Sequence, residues 1–199
     1  MRRLSVFLVV FFVVLASFAC GGSPSNPSGT GTLNVRLTDS PFSDAGAVLV
    51  TFKGVRAHRS ESDWAPVPFA DTTAVTRTCD LKKLENGAVD ILGSGPLVTG
   101  HYTMIRLVVE SAKIYQAKSP AGPACASSIT ITGEEGINVQ IPSGEVKLNR
   151  GFTLEADATT TIELDFDGDR SIRETGNGVY VMNPVIAILS VTPATPPQP

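Results

Sequence analysis

Residues 32–39 read TLNVRLTD, and this short stretch decides the fold class. Leu33, Val35 and Leu37 fall on one face and Asn34, Arg36 and Thr38 on the other, the two-residue period of a half-buried strand. The next residues, TDSPF at 38–42, supply Asp, Ser and Pro for a turn. AVLVTFKGVRAH at 47–58 resumes the alternation with Val48, Val50 and Phe52 and changes phase across Gly54, which predicts a bulge.

The same period continues along the chain. DWAPVPF at 63–69 reads as an edge strand interrupted by proline. HYTMIRLVVESAKIY at 101–115 is long and β-rich, with Ile105, Leu107 and Val109 on one face. SITITG (128–133), INVQIP (137–142), EVKL (145–148), FTLEA (152–156) and TTIELDF (160–166) follow at short intervals, and VYVMNPVIAILSV (179–191) closes the body. Helical spacing occurs once, Leu81 to Leu84 in DLKKLENGAV, and is too short for more than a turn or two. The pattern predicts an all-β chain: one Greek-key β-sandwich over residues 32–191, with about 7–9 strands and at most one short helical turn.

The succession NVRLTDSPF, VLVTFKGVRAH, ENGAVDILGSGPLVTGHYTMIRLVV, IPSGEVKL, GFTLEADATTTIELDFDGDRSI and TGNGVYVMNPVI resembles the bacterial lipoprotein family called domain of unknown function 4382. That family tends to have Pro-Ala-Gly where Val98, Thr99 and Gly100 stand. The resemblance implies an exported, usually lipid-anchored, Greek-key sandwich of the transthyretin-like or carbohydrate-binding-like kind. It implies no activity and supplies no catalytic residues.

The N-terminal residues follow the secretory pattern: Arg2 and Arg3, then an unbroken apolar run from Val6 to Ala16. The run falls short of the roughly 20 residues that span a bilayer. Residues 1–19 are therefore read as a signal peptide. SFAC at 17–20 resembles a bacterial lipobox, with small residues at Ser17 and Ala19, although Ser17 stands where Leu is commonest. Cys20 is expected to be the lipidated N-terminus; ordinary cleavage at the same place would leave a soluble secreted or periplasmic protein. Residues 20–31, rich in Gly, Ser and Pro, suit a membrane tether, and residues 192–199 read as a Pro-rich tail. Gly21 rather than Asp after the cysteine resembles the outer-membrane class, for a host that has an outer membrane.

Without Arg2 and Arg3 the 16 basic residues become 14 against 19 acidic ones, a net charge of minus 5. That balance disfavours nucleic acid, whose binding rests on clustered Lys and Arg. If Cys20 carries lipid, Cys79 and Cys125 are an even pair of thiols in an oxidising compartment, and both lie in connecting segments. A disulfide between them is expected; two separate thiols are the alternative.

LDFDGDRSIRE at 164–174 places Asp165, Asp167 and Asp169 two apart, so three carboxylates on one strand face are the weak candidates for a hard cation. The helix–loop–helix calcium pattern needs Gly sixth and Glu twelfth, and Gly168 and Glu174 fall fourth and tenth. The expectation is therefore that Leu164 and Phe166 face the core, the aspartates protect an edge, and neither metal nor any other cofactor is needed. His58 and His101 sit in no zinc-spaced pair, and GSGP around Ser94 is not a nucleophile elbow. Trp64, Tyr102, Tyr115 and Tyr180 are candidates for an aromatic platform on one exposed face.

The resulting expectation is a lipid-anchored, non-catalytic surface binding or scaffolding module of the cell envelope. Its partners would be the membrane, through the lipid, and a glycan or envelope protein. A carbohydrate-binding module and an undetected envelope hydrolase are the alternatives.

Overall fold

The computed structural model describes residues 29–40 and 43–193. Its strands are β1 (Thr30–Ser40), β2 (Ala47–Arg59), β3 (Trp64–Val67), β4 (Arg77–Asp80), β5 (Asp90–Val98), β6 (Gly100–Tyr115), β7 (Cys125–Ala126), β8 (Ile137–Gln140), β9 (Glu145–Leu154), β10 (Thr159–Asp167), β11 (Ile172–Gly176), β12 (Val179–Met182) and β13 (Ile186–Pro193). Two helical pieces join them, a 3₁₀ turn at Leu81–Lys83 and α1 at Gly168–Ser171.

The strands form two sheets. The smaller has the order β13-β10-β1-β5, and the larger runs β11-β12-β8-β6-β2-β4-β7, with β3 also on β2 and β9 also on β6. β2 and β6 are long enough to hold two partners each, end to end. β2 carries β4 along residues 49–52 and β3 along residues 55–58, while β6 carries β9 from Gly100 to Val108 and β8 from Ala112 to Ile114.

Alternation explains the packing between the sheets. Leu33, Val35 and Leu37 of β1 and Ile162, Leu164 and Phe166 of β10 are wholly buried, as are Val48, Val50 and Phe52 of β2. They belong to a single core, crossed by the edge-on contact of Phe52 with Phe166 at 6.4 Å. The expected phase change at Gly54 is present: the β2–β6 register shifts between Phe52 and Gly54.

The sandwich differs from expectation in detail. Thirteen strands are described rather than 7–9, and two helical turns rather than one. EVKL and FTLEA, read as separate strands, are one strand, β9, with the irregularity at Arg150 and Gly151 absorbed opposite residues 102–104. SITITG is no strand; Ile131 and Ile129 pack instead on Leu49 and Tyr115, forming a small second core on the outer face of the larger sheet. The aspartates of β10 protect no edge, because β10 lies between β1 and β13. The parallel pairing of β1 with β10, Leu37 opposite Leu164, puts that strand inside the sheet.

β5 carries the composition of a turn, Gly93-Ser94-Gly95-Pro96, yet it is a strand. The segment after β3 crosses it closely: Ser94 N donates to Pro68 O at 2.9 Å, and a Cβ on Gly95 would sit 2.7 Å from Pro68 Cδ. Glycine here answers a close backbone approach rather than a turn.

Candidate functional site

Strand registers define two poles. At the first, Thr32 pairs with Thr159, Thr160 pairs with Pro193, and Thr99 N donates to Gly29 O at 3.0 Å. The other pole gathers the ends of β1, β10 and β6, the start of β2, the Leu81–Lys83 turn and α1.

A cleft of about 410 Å³ opens at this second pole, lined by Ala45, Gly46, Asp80, Lys82, Lys83, Glu85, Lys118 and Ser119. Its polar groups mostly hold loops together. Asp80 Oδ1 accepts from Val48 N at 3.2 Å and Lys82 N at 3.1 Å, and Oδ2 accepts from Ser119 Oγ. Lys83 Nζ donates to the carbonyls of Pro120 and Gly122, and Lys82 pairs with Glu85. The carboxylate of Asp80 caps the turn that it begins, the usual use of an Asp at that position.

Beside the cleft, Cys79 and Cys125 form a disulfide, as expected. Both sulfurs lie in the core, Cys79 fully buried and Cys125 at 2% exposure. Their strands meet in register, Cys79 opposite Cys125. A polar clamp holds the short β7 from the other side. Arg77 Nη2 donates to Cys125 O at 3.1 Å, Cys125 N donates to Asp90 Oδ2 at 2.8 Å, and Arg77 and Asp90 pair at 3.7 Å. Arg77, Asp80 and Asp90 carry little local signal: Asp80 adjoins Cys79 and Arg77 lies two residues before it, while no cysteine stands near Asp90 in the sequence.

The three weak metal candidates part company. Asp165 accepts from Ser40 Oγ at 3.0 Å, Asp167 caps α1 by accepting from Arg170 N at 2.9 Å, and Asp169 lies inside α1. Among the described residues no group of three or more His, Cys, Asp or Glu is arranged to hold a metal. Asp167→Ala is expected to lower stability by about 1 kcal/mol, the usual cost of a lost N-cap. The same loss should appear with calcium and with chelator in thermal melts. A calcium-dependent rise in melting temperature that vanishes in this variant would restore the cation site.

Asp39, not a sequence candidate, is the most perturbed acid of this pole. It is 5% exposed, Oδ1 accepts from Gly168 N at 3.1 Å, and Oδ2 has no hydrogen-bond partner. Burial pushes its carboxyl up to about 8, the Gly168 hydrogen bond opposes this, and Asp165 and Glu85 add to the rise.

The aromatic candidates do not share a face. Tyr102 is in the core, stacked on Phe152 at 5.2 Å, with its hydroxyl donating to Val98 O at 2.7 Å. Burial raises its hydroxyl's pKa. Tyr115 is buried beneath Ile131, and Tyr180 packs against the main core. Trp64 also stands on the outer face of the larger sheet, but there Tyr115 is covered by Ile131, so Trp64 alone of the four is open on it, with His58 at 5.1 Å and the Arg106 guanidinium 3.9 Å over its ring. A neutral-sugar platform of stacked rings therefore loses its support.

His58 Nδ1 lies 2.9 Å from Thr103 Oγ1, and His101 packs near Gly151. Among the described residues neither histidine has a carboxylate partner, so the base–orienter pair of a hydrolytic triad is not assembled. Cys20 and the tail beyond residue 193 lie outside the described residues.

Residues 30–184 match the family described as Domain of unknown function (DUF4382). No curated protein matches the chain. No solved structure matches it.

Proposed function

Because the chain belongs to the DUF4382 family, a family described without an activity, we propose that it is an exported, lipid-anchored module of the cell envelope that works by binding rather than by catalysis. The observation that carries this reading is the buried Cys79–Cys125 disulfide, since such bridges persist in oxidising, extracytoplasmic compartments. The arrangement of the ends agrees with it. Gly29 and Pro193 lie at the same pole. β1 already begins at Thr30 and β13 runs to Pro193, so the expected tether (20–31) and tail (192–199) each give two residues to strand. A tether ending before Thr30 would hold that pole toward the membrane and leave the cleft and sheet faces open to partners. Histidines without carboxylate partners favour binding over hydrolysis.

The anchor is Cys20, and the site is the outer membrane in a host that has one. Mass spectrometry of the mature protein should find Cys20 acylated, and Cys20→Ser should move the domain from the membrane fraction to the soluble one. An unmodified chain beginning at Cys20 would replace the anchor with ordinary secretion.

A further inference from the structure

The outer face formed by β3, β2, β6 and β9 carries a row of cations. Arg56 of β2 is the cross-strand partner of Arg106 of β6, which is the partner of Lys147 of β9, each within an uninterrupted run of pairing. Registered partners share a face, so the three stand in line at strand spacing, about 4.8 Å apart. Like charges placed directly opposite each other destabilise a sheet, and compensation here is small. Glu145 pairs with Arg106 alone. Arg56 and Lys147 are exposed and, among the described residues, have no ionic partner. The guanidinium of Arg106 is fixed over Trp64, and its Nε is buried with no hydrogen-bond partner. A stiff central cation with two free flanking ones stands out on a chain that is acidic as a whole.

We propose that this face binds an acidic polysaccharide bearing a carboxylate on each sugar, with Arg56, Arg106 and Lys147 meeting successive carboxylates. The row is straight and lies on an open sheet face, so a compact anion meets one or two of its members while an extended polymer follows all three. Next to the row, the half-buried Trp64 keeps part of its indole surface open to a sugar, while Arg106 covers one face of the ring. The inference rests on the binding-module reading above and names the ligand class for it; it does not depend on the lipid.

Trp64 is the single tryptophan, so its fluorescence reports from the site. The mature full-length protein is titrated with polygalacturonate, with dextran as the neutral polymer, with duplex DNA, and with vesicles of phosphatidylcholine and phosphatidylglycerol. A saturable change with polygalacturonate and none with dextran is expected. The double variant Arg56→Gln/Lys147→Gln should weaken that binding about tenfold, the loss of two exposed charge pairs, with a melting temperature no lower than the parent's, since two like-charge repulsions are removed. No saturable change with polygalacturonate overturns the proposal, as does unchanged affinity in the double variant. Binding to the vesicles without binding to polygalacturonate gives the face to a membrane and also overturns it, and equal affinity for DNA reduces it to nonspecific charge attraction. A negative result alongside Cys20-dependent membrane retention removes this ligand and leaves the anchored module standing.

Discussion

Replacing both bridge cysteines, Cys79→Ala with Cys125→Ala, is expected to lower the unfolding free energy by about 4 kcal/mol. The chain-entropy relation gives that figure for a loop closed over a sequence separation of 46. For a domain of this size the loss corresponds to a drop of roughly 8–16 °C in melting temperature. The structure argues that the penalty is also local. β7 holds only Cys125 and Ala126, and besides the disulfide it depends on its short pairing with β4 and the Arg77–Asp90 clamp. Without the bridge, amides of residues 116–131 should exchange with solvent well before those of β1 or β10. Denaturant melts of the double variant beside the parent, with hydrogen exchange on both, are the measurement. A loss below 1 kcal/mol with unchanged exchange in that loop would mean that the clamp alone fixes β7. The single variants are poorer probes, because each leaves a buried free thiol beside the missing partner.

The two-residue period was most legible where strands bury one face and expose the other. β1, the first half of β2, the middle of β6 and β10 follow their alternation, with Leu33, Val50, Leu107 and Leu164 inward as expected. It failed where a strand is made by something other than its own apolar face. β4 has four buried residues, Arg77-Thr78-Cys79-Asp80, and owes its place to a disulfide and a half-buried ion pair. β5 contains glycines that admit the crossing segment at Pro68, and β7 is too short to show a period. SITITG shows the opposite error: β-branched residues satisfy the strand pattern, but the isoleucines serve as a cover over Leu49 and Tyr115.

Of the candidate sites, the cysteine pair was readable because thiols are few and their chemistry is narrow. The cation row was not readable, because Arg56, Arg106 and Lys147 lie far apart in sequence and only the registers of three strands align them. Asp39 was hidden for a related reason. Asp39 keeps the inward phase of Leu33, Val35 and Leu37, but an aspartate at a strand end reads as turn, and nothing local tells that Leu84 and Gly168 will close over the end of β1. The structure shows Thr38 Oγ1 and Asp39 N both donating to Leu84 O, and Gly168 N donating to Asp39 Oδ1.

That burial has a measurable consequence: the domain should become less stable as pH rises from about 4 to about 8. In the unfolded chain an aspartate titrates near its ordinary value of 3.8, whereas burial raises Asp39 in the folded chain to about 8. Between those values the folded state holds a proton that the unfolded state has released. Stability therefore falls with rising pH across this window and levels off above it. The neutral form suits the site: one oxygen accepts from Gly168 N, and charging the carboxyl would leave Oδ2 ionised, buried and without a partner, near Asp165 and Glu85 and offset only by Lys82. The full swing is on the order of a few kcal/mol, since each unit of displacement is worth about 1.4 kcal/mol and some of it will be relieved by water entering at the pole. Asp39→Asn keeps an oxygen for Gly168 N and removes the titration. Its stability should match the parent only below about pH 4, where both side chains are neutral folded and unfolded; its advantage should be small near pH 5 and much larger near pH 8.5, so that it varies less between those two values. Urea midpoints of both proteins at the two pH values decide it; parallel pH profiles would show that Asp39 is ionised in the folded protein and that its charge is compensated at this pole.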